Sequence, residues 1–270
     1  MKYPVQKFRF RRKREKKRRK PIPRVVIPSF FTLMNLFCGF LSIIMVAEGN
    51  FIFGAWLIVI AGLFDALDGF MARLANAQSE FGIELDSISD VVSFGVAPAF
   101  LIYNFALNEL AIVGIILAAL PPICGAIRLA RFNVDSKYAT YDFYKGLPIP
   151  VQAAMLAGFY LTFSKRLYLF EGFENGVLSI IIPTMVLLSF LMVSTIPFDK
   201  IPRFDRGSIK KYKSRLILFF VYLVIIAVFQ DIGLMIAFSF FILKGLTIGL
   251  YIFWKSAFTD EPEDEQYETI

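Results

Sequence analysis

Histidine is absent from the 270 residues, and with it the side chain most often used to carry protons near neutral pH. A Ser–His or Cys–His relay is therefore excluded, and any general base is expected to be a carboxylate. Cysteine is nearly absent too. Cys38 and Cys124 both fall in apolar stretches, where the residue behaves as a small hydrophobe, so no disulfide framework is expected. Extended polar sequence is scarce between the termini, which leaves room for short loops and no second folded domain. What fills the chain is apolar: 57% hydrophobic residues, 16% aromatics and a mean hydropathy of +0.63 exceed the range of soluble domains and place the chain in a bilayer.

Charge is unevenly spread. Residues 1–24 hold 13 of the 29 Lys and Arg against one acid, Glu15, a local +12 within a net +7, so the remainder sums to −5. This head has neither the apolar region nor the cleavage site of a signal peptide and reads as retained. A basic run beside a first membrane helix fixes orientation and meets anionic head groups. No aromatic pattern or motif supports nucleic-acid binding, so no nucleic-acid partner is expected. The acidic end, Asp260 to Glu268, reads as a solvated tail. The expected organisation is a basic head over 1–24, a membrane domain over 25–255 and an acidic tail over 256–270.

At about 20 apolar residues per crossing, spans are expected at Ser29–Ala47, Phe51–Leu74, Asp86–Leu107, Leu110–Arg131, Leu147–Ser164, Val177–Thr195, Leu216–Phe229 and Ile232–Trp254. The fold class is thus all-α, a polytopic integral membrane bundle of about eight transmembrane helices. An even count puts both termini on one side. With the head in the cytoplasm, 26 Lys and Arg face inward and only Lys165 and Arg166 outward, as the positive-inside rule requires. Lys244 alone lies mid-span, paired within the bundle or snorkelling. The inner ends of the second and third helices are then cytoplasmic.

Those ends carry four aspartates. Asp65 and Asp68 are three apart, Asp86 and Asp90 four apart, so each pair shares a helix face. Carboxylates at membrane helix ends are costly to desolvate without compensation. Nearby cations do not supply it, because the stretch adds Glu80 and Glu84 and only one base, Arg73. Divalent ions do, and hard oxygen ligands suit Mg²⁺ or Mn²⁺, which would also neutralise a pyrophosphate under attack. Gly69, Gly82 and Ala72 open a narrow groove to a ligand, and Arg73 supplies a bidentate phosphate contact at its rim.

The spacing D-x2-D-G-x2-A-R-x8-G-x3-D-x3-D from Asp65 to Asp90 resembles the signature of the CDP-alcohol phosphatidyltransferase family at every specified position. The resemblance implies a six-helix membrane core, a homodimer, and a cytoplasm-facing cavity for the CDP moiety and two divalent ions. Asp65, Asp68 and Asp86 then ligate metal, and Asp90 is the general base, touching a metal as well. Thr32 and Asn35, one turn apart on the first helix, suit contact with the nucleotide. The stretches IPSFFTLMNLFCGF, LDSISDVVSFGVAPA, IRLARFNV, GLPIP and IPFDKIPRF resemble the bacterial and archaeal branch whose acceptor is serine. Ser29 stands where that branch has asparagine. The implied partners are CDP-diacylglycerol, L-serine and membrane lipids, and the implied location is a prokaryotic inner membrane.

A serine acceptor brings a carboxylate to a site rich in aspartates, which calls for a cation to orient it. Arg128 and Arg131, three apart, and Lys145 in KGLPIP are the candidates for serine or lipid phosphate. A sister enzyme using glycerol phosphate, inositol phosphate or another alcohol would share the metal site but needs a stronger cationic cluster. A transporter also accommodates intramembrane carboxylates, but calls for acids near the midplane and broken helices.

Overall fold

The computed structural model describes residues 26–74, 79–135, 143–199 and 213–258. The basic head, most of the 199–215 loop and the acidic tail beyond Phe258 lie outside the described residues.

Helix fills most of every expected span, and the protein is a helical membrane bundle. Helix α1 (Val26–Ala47) and helix α2 (Phe51–Leu74) form a hairpin. Its turn is closed by Gly49 at φ +83°. Their packing is tight because Gly54 offers no side chain: a Cβ there would lie 2.6 Å from Val46 Cγ2, and the Ser42 hydroxyl donates to the Gly54 carbonyl at 2.8 Å.

Helix α3 (Glu80–Asp90) starts six residues before the expected span, which corrects that boundary. Ser79 supplies the reason, capping the helix by accepting from the Gly82 N–H at 3.0 Å, a favoured N-cap chemistry. The helix widens into a π-helical segment at Val91–Val96, resumes as α4 (Ala97–Ile102), widens again at Tyr103–Leu107 and closes with a 3₁₀ turn at Asn108–Leu110.

Ala111, at φ 48°, ψ −125°, then reverses the chain into α5 (Ala111–Asp135). The returning helix packs so closely that a Cβ on Gly95 would lie 3.0 Å from Pro122 Cα, and one on Gly114 would overlap the Leu107 carbonyl. The 56-residue apolar stretch Glu80–Asp135 is therefore two crossings, as the sequence pattern implies. Gln230, at φ 49°, ψ −114°, makes the same kind of reversal inside α8 (Lys213–Phe258). Gln230 falls in the gap between the seventh and eighth expected spans, and Ala111 one residue inside the start of the fourth.

Helices α6 (Ile149–Phe163) and α7 (Leu178–Val193) are shorter than the spans expected over them. Pro148, before α6, and Ser194, after α7, have extended backbone instead. They lead into two three-residue strands that the all-α expectation does not contain, β1 (Phe143–Lys145) and β2 (Pro197–Asp199). The strands pair antiparallel with Tyr144 opposite Phe198. The C-terminal half of α8 seals this ladder through Gly245 against the Phe198 ring and Gly249 against Ile196.

The interior is built from Ile58, Phe94, Leu101, Leu156, Met185 and Leu188, while Phe37, Phe40, Ile112, Ile116 and Phe253 project outward. An apolar exterior of this kind fits a bundle whose solvent is lipid.

Candidate active site

Two helix ends bring the carboxylates together across the α2–α3 hairpin. One ligand oxygen from each of Asp65, Asp68 and Asp86 lies within 4.8 Å of the other two. Asp68 is buried and its two neighbours are half-buried. Asp68 Oδ2 and Asp86 Oδ1 are buried without a hydrogen-bond partner. Three hard anionic donors with orphaned oxygens fit a divalent cation, since such atoms are otherwise costly to bury. The cluster could hold metal, as CDP-alcohol phosphatidyltransferases do.

Asp90 stands outside this trio. It is buried, one turn beyond Asp86, and its Oδ1 accepts a hydrogen bond from Asn35 Nδ2 at 3.1 Å. The site is thus graded, with three converging aspartates next to a fourth carboxylate held by an amide. On α1, Thr32 lies within hydrogen-bond reach of the Asp68 carboxylate. The two α1 residues expected to face nucleotide therefore face aspartates here.

Gly69, Ala72 and Arg73 lie towards the end of α2, and Gly82 lies in the first turn of α3. The nearest heavy atoms to a Cβ on Gly69 among the described residues would belong to the Arg73 guanidinium, the first at 3.4 Å; at Gly82 the nearest is Ser79 Oγ at 3.1 Å. A Cβ at Gly69 would thus make only ordinary contacts, whereas one at Gly82 would crowd the capping hydroxyl. Ala72 lies on the same helix end, half-buried, and Arg73 is exposed.

The three candidate cations part ways. Arg128 is buried at 6% exposure, its guanidinium 5.9 Å from the Phe132 ring centre and 5.7 Å from that of Tyr144. Asp90 and Asp65 lie within Coulombic range of it, and its Nε has no hydrogen-bond partner. Arg131 has a different task. Its Nη1 donates to the Val193 carbonyl at 2.7 Å, and its Nη2 to the carbonyls of Ser194 at 2.9 Å, Lys145 at 3.3 Å and Met192 at 3.4 Å. It therefore caps the C-terminus of α7 and ties it to β1. Lys145 pairs with Pro197 in the ladder.

Several supporting residues escaped the sequence reading. Asn133 Nδ2 donates to Ser87 Oγ at 2.9 Å, tying α5 to the aspartate helix. Ser93 donates to the Asn35 carbonyl at 2.9 Å, and Gly39 lets the two helices meet there, because a Cβ would lie 2.6 Å from Ser93 Cα. Tyr144 supplies a ring to Arg128. The serines sit in the quoted stretch LDSISDVVSFGV, but their partners come from other helices, so spacing alone gives no sign of them.

Known proteins sharpen the assignment. The family model described as CDP-alcohol phosphatidyltransferase matches residues 25–191. A CDP-diacylglycerol–serine O-phosphatidyltransferase of Helicobacter pylori is 38% identical over 205 residues, 76% of this chain and 81% of the relative. The proteins of the same name from Methanocaldococcus jannaschii and Bacillus subtilis are 39% identical over 178 residues (66% of this chain, 76% of the relative) and 38% identical over 190 residues (70% and 96%). The matched residues span α1 to α7 and include all four aspartates, and on that ground the chain belongs to the CDP-alcohol phosphatidyltransferase family.

Proposed function

We propose that this membrane enzyme transfers the phosphatidyl group of CDP-diacylglycerol to L-serine, giving phosphatidylserine and CMP. The observation that carries this reading is the convergence of Asp65, Asp68 and Asp86 within 4.8 Å beside Asp90, in a chain whose relatives are named for serine as the acceptor. In the reaction the serine hydroxyl oxygen bonds to the β-phosphorus of CDP-diacylglycerol, the bond from that phosphorus to the bridging oxygen breaks, and CMP leaves with the bond's electrons. Asp90 takes the hydroxyl proton. Two divalent ions, Mg²⁺ or Mn²⁺, bound at Asp65, Asp68 and Asp86 with Asp90 at their edge, would neutralise the pyrophosphate and the charge on the departing CMP.

The protein's own groups do the positioning. Gly69, Ala72 and Gly82 admit the CDP moiety, Arg73 meets a phosphate, and Thr32 steadies Asp68. Arg128, close to the aspartates yet with an unpartnered Nε, is the better of the two arginines for the serine carboxylate, with Lys145 behind it. The head (1–24) and tail (256–270) are appendages of a membrane domain over 25–255, which works as a homodimer with its termini and aspartates cytoplasmic in a prokaryotic inner membrane.

Purified protein given CDP-diacylglycerol, Mn²⁺ and a panel of alcohols is expected to make phosphatidylserine and CMP, with the lipid identified by mass spectrometry. Preferred use of glycerol phosphate or inositol phosphate would overturn the acceptor assignment while leaving the metal site in place.

Sidedness is tested separately. With Cys38 and Cys124 replaced by alanine, an impermeant thiol reagent on intact cells should label Glu174→Cys, in the exposed segment before α7. It should reach Lys210→Cys only after permeabilisation. Labelling of the second variant in intact cells would reverse the topology.

A further inference from the structure

Asn35 is fully buried at 0% exposure, and its amide is used on one side only. Nδ2 donates to Asp90 Oδ1 at 3.1 Å, while Oδ1 is buried with no hydrogen-bond partner. That orientation follows from chemistry, because an ionised carboxylate only accepts and must be faced by the NH₂ group, which turns the carbonyl oxygen away. The residue is also clamped: Ser93 donates to its backbone carbonyl at 2.9 Å, and Gly39, one turn on, admits Ser93 against α1. A buried amide oxygen left without a donor is costly, on the order of 1–3 kcal/mol. Such a cost at a rigidly held position points to a donor that arrives with substrate.

We infer that Asn35 is a bridge between the base and the acceptor alcohol: its Nδ2 orients Asp90, and its Oδ1 receives the ammonium group of a 2-amino alcohol. This rests on the reading of Asp90 as the base. The geometry favours the acceptor over the nucleotide for two reasons. The amide touches the carboxylate that takes the hydroxyl proton, and among the described residues its hydrogen bond goes to Asp90 and not to Asp65, Asp68 or Asp86. In a 2-amino alcohol the nitrogen and the reacting hydroxyl sit on neighbouring carbons, so a hydroxyl at Asp90 places the ammonium within reach of the same amide. The hydroxyl has a single proton, which goes to Asp90, whereas the ammonium has three donors and can spare one for Oδ1. Asn35 thereby distinguishes an amino alcohol from one lacking the amine, and does so with a neutral group that leaves the charge of Asp90 undisturbed.

The test uses the full-length protein with saturating CDP-diacylglycerol and two acceptors, L-serine and 3-hydroxypropionate, which is serine without its amine. Asn35→Ala and Asn35→Leu should lower kcat for both acceptors by roughly 10-fold or more, the loss of one charge-assisted hydrogen bond to the base. They should also raise KM for serine by about 10-fold, the loss of one hydrogen bond to a cation, with KM for 3-hydroxypropionate and for CDP-diacylglycerol unchanged. A rise in KM for CDP-diacylglycerol with serine dependence intact would make Asn35 a nucleotide contact and overturn the inference. Equal KM changes for the two acceptors would overturn its amine-binding half.

Should both variants fail to fold, Ser93→Ala keeps the amide and removes only its clamp. It should lower kcat for both acceptors with KM for CDP-diacylglycerol unchanged, and full activity would count against the bridge. Failure of the underlying reading looks different: Asp90→Asn would then keep near-normal turnover whatever Asn35 does.

Discussion

Asp90→Asn is expected to lower turnover by roughly 10²–10⁴-fold, the usual contribution of a positioned proton acceptor, while CDP-diacylglycerol binding stays close to normal. The substitution preserves shape and the contact with Asn35 but removes the acceptor of the hydroxyl proton. Asp90 lies outside the trio whose oxygens converge within 4.8 Å, so that trio survives. Asp68→Ala should behave differently. It deletes a central ligand with a buried, unpartnered oxygen and should weaken both Mn²⁺ and nucleotide binding along with turnover. Calorimetric titration of the two variants with Mn²⁺ and with CDP, beside single-turnover rates, separates these cases. Near-normal turnover in Asp90→Asn would reassign the base.

The second large effect concerns the two arginines three residues apart on α5. Arg128→Gln is expected to raise the serine requirement by 10-fold or more, on the scale of a lost charge-assisted contact, with little change in CDP-diacylglycerol affinity. Its guanidinium lies about equally far from two neighbouring rings, with Asp90 and Asp65 in Coulombic range. Arg131→Gln should instead reduce stability by about 1–3 kcal/mol, because carbonyls at the end of α7 and on β1 lose their donor. Any loss of activity there should track unfolding in detergent and fall equally on both substrates. Steady-state kinetics in serine together with thermal melts read out both variants. An unchanged serine requirement in Arg128→Gln would remove it from the acceptor site.

The spans were legible because lipid imposes a minimum apolar length, and the aspartates because carboxylates at helix ends stand out against that background. Even the reversals at Ala111 and Gln230 fall where apolar runs are interrupted, at LNEL and FQD. Other features had no local signature. Arg128 and Arg131 look alike in sequence, both basic, both on one face near a helix end; only the arrival of the α7 C-terminus at Arg131 sets that clamp apart from Arg128, whose Nε has no hydrogen-bond partner. Asn35 and Thr32 read as nucleotide contacts because a polar residue on α1 was the visible fact, while the carboxylates they meet belong to other helices. The two short strands were hidden because three-residue ladders have too little periodicity to register against adjoining helices.

The tight turns have a consequence for how the chain enters the membrane. At the end of the bundle away from the aspartates, the α1–α2 connection is Glu48–Asn50, the third and fourth crossings are joined through Asn108–Leu110, and the two halves of α8 meet at Gln230. The segment from Ser164 to Val177 is the one longer connection there among the described residues. Helices joined this closely can cross as ready-made pairs, each carrying only a few polar groups through the hydrocarbon and satisfying its backbone internally on the way. With the sidedness proposed above, biogenesis has little hydrophilic cargo to translocate at that end of the bundle.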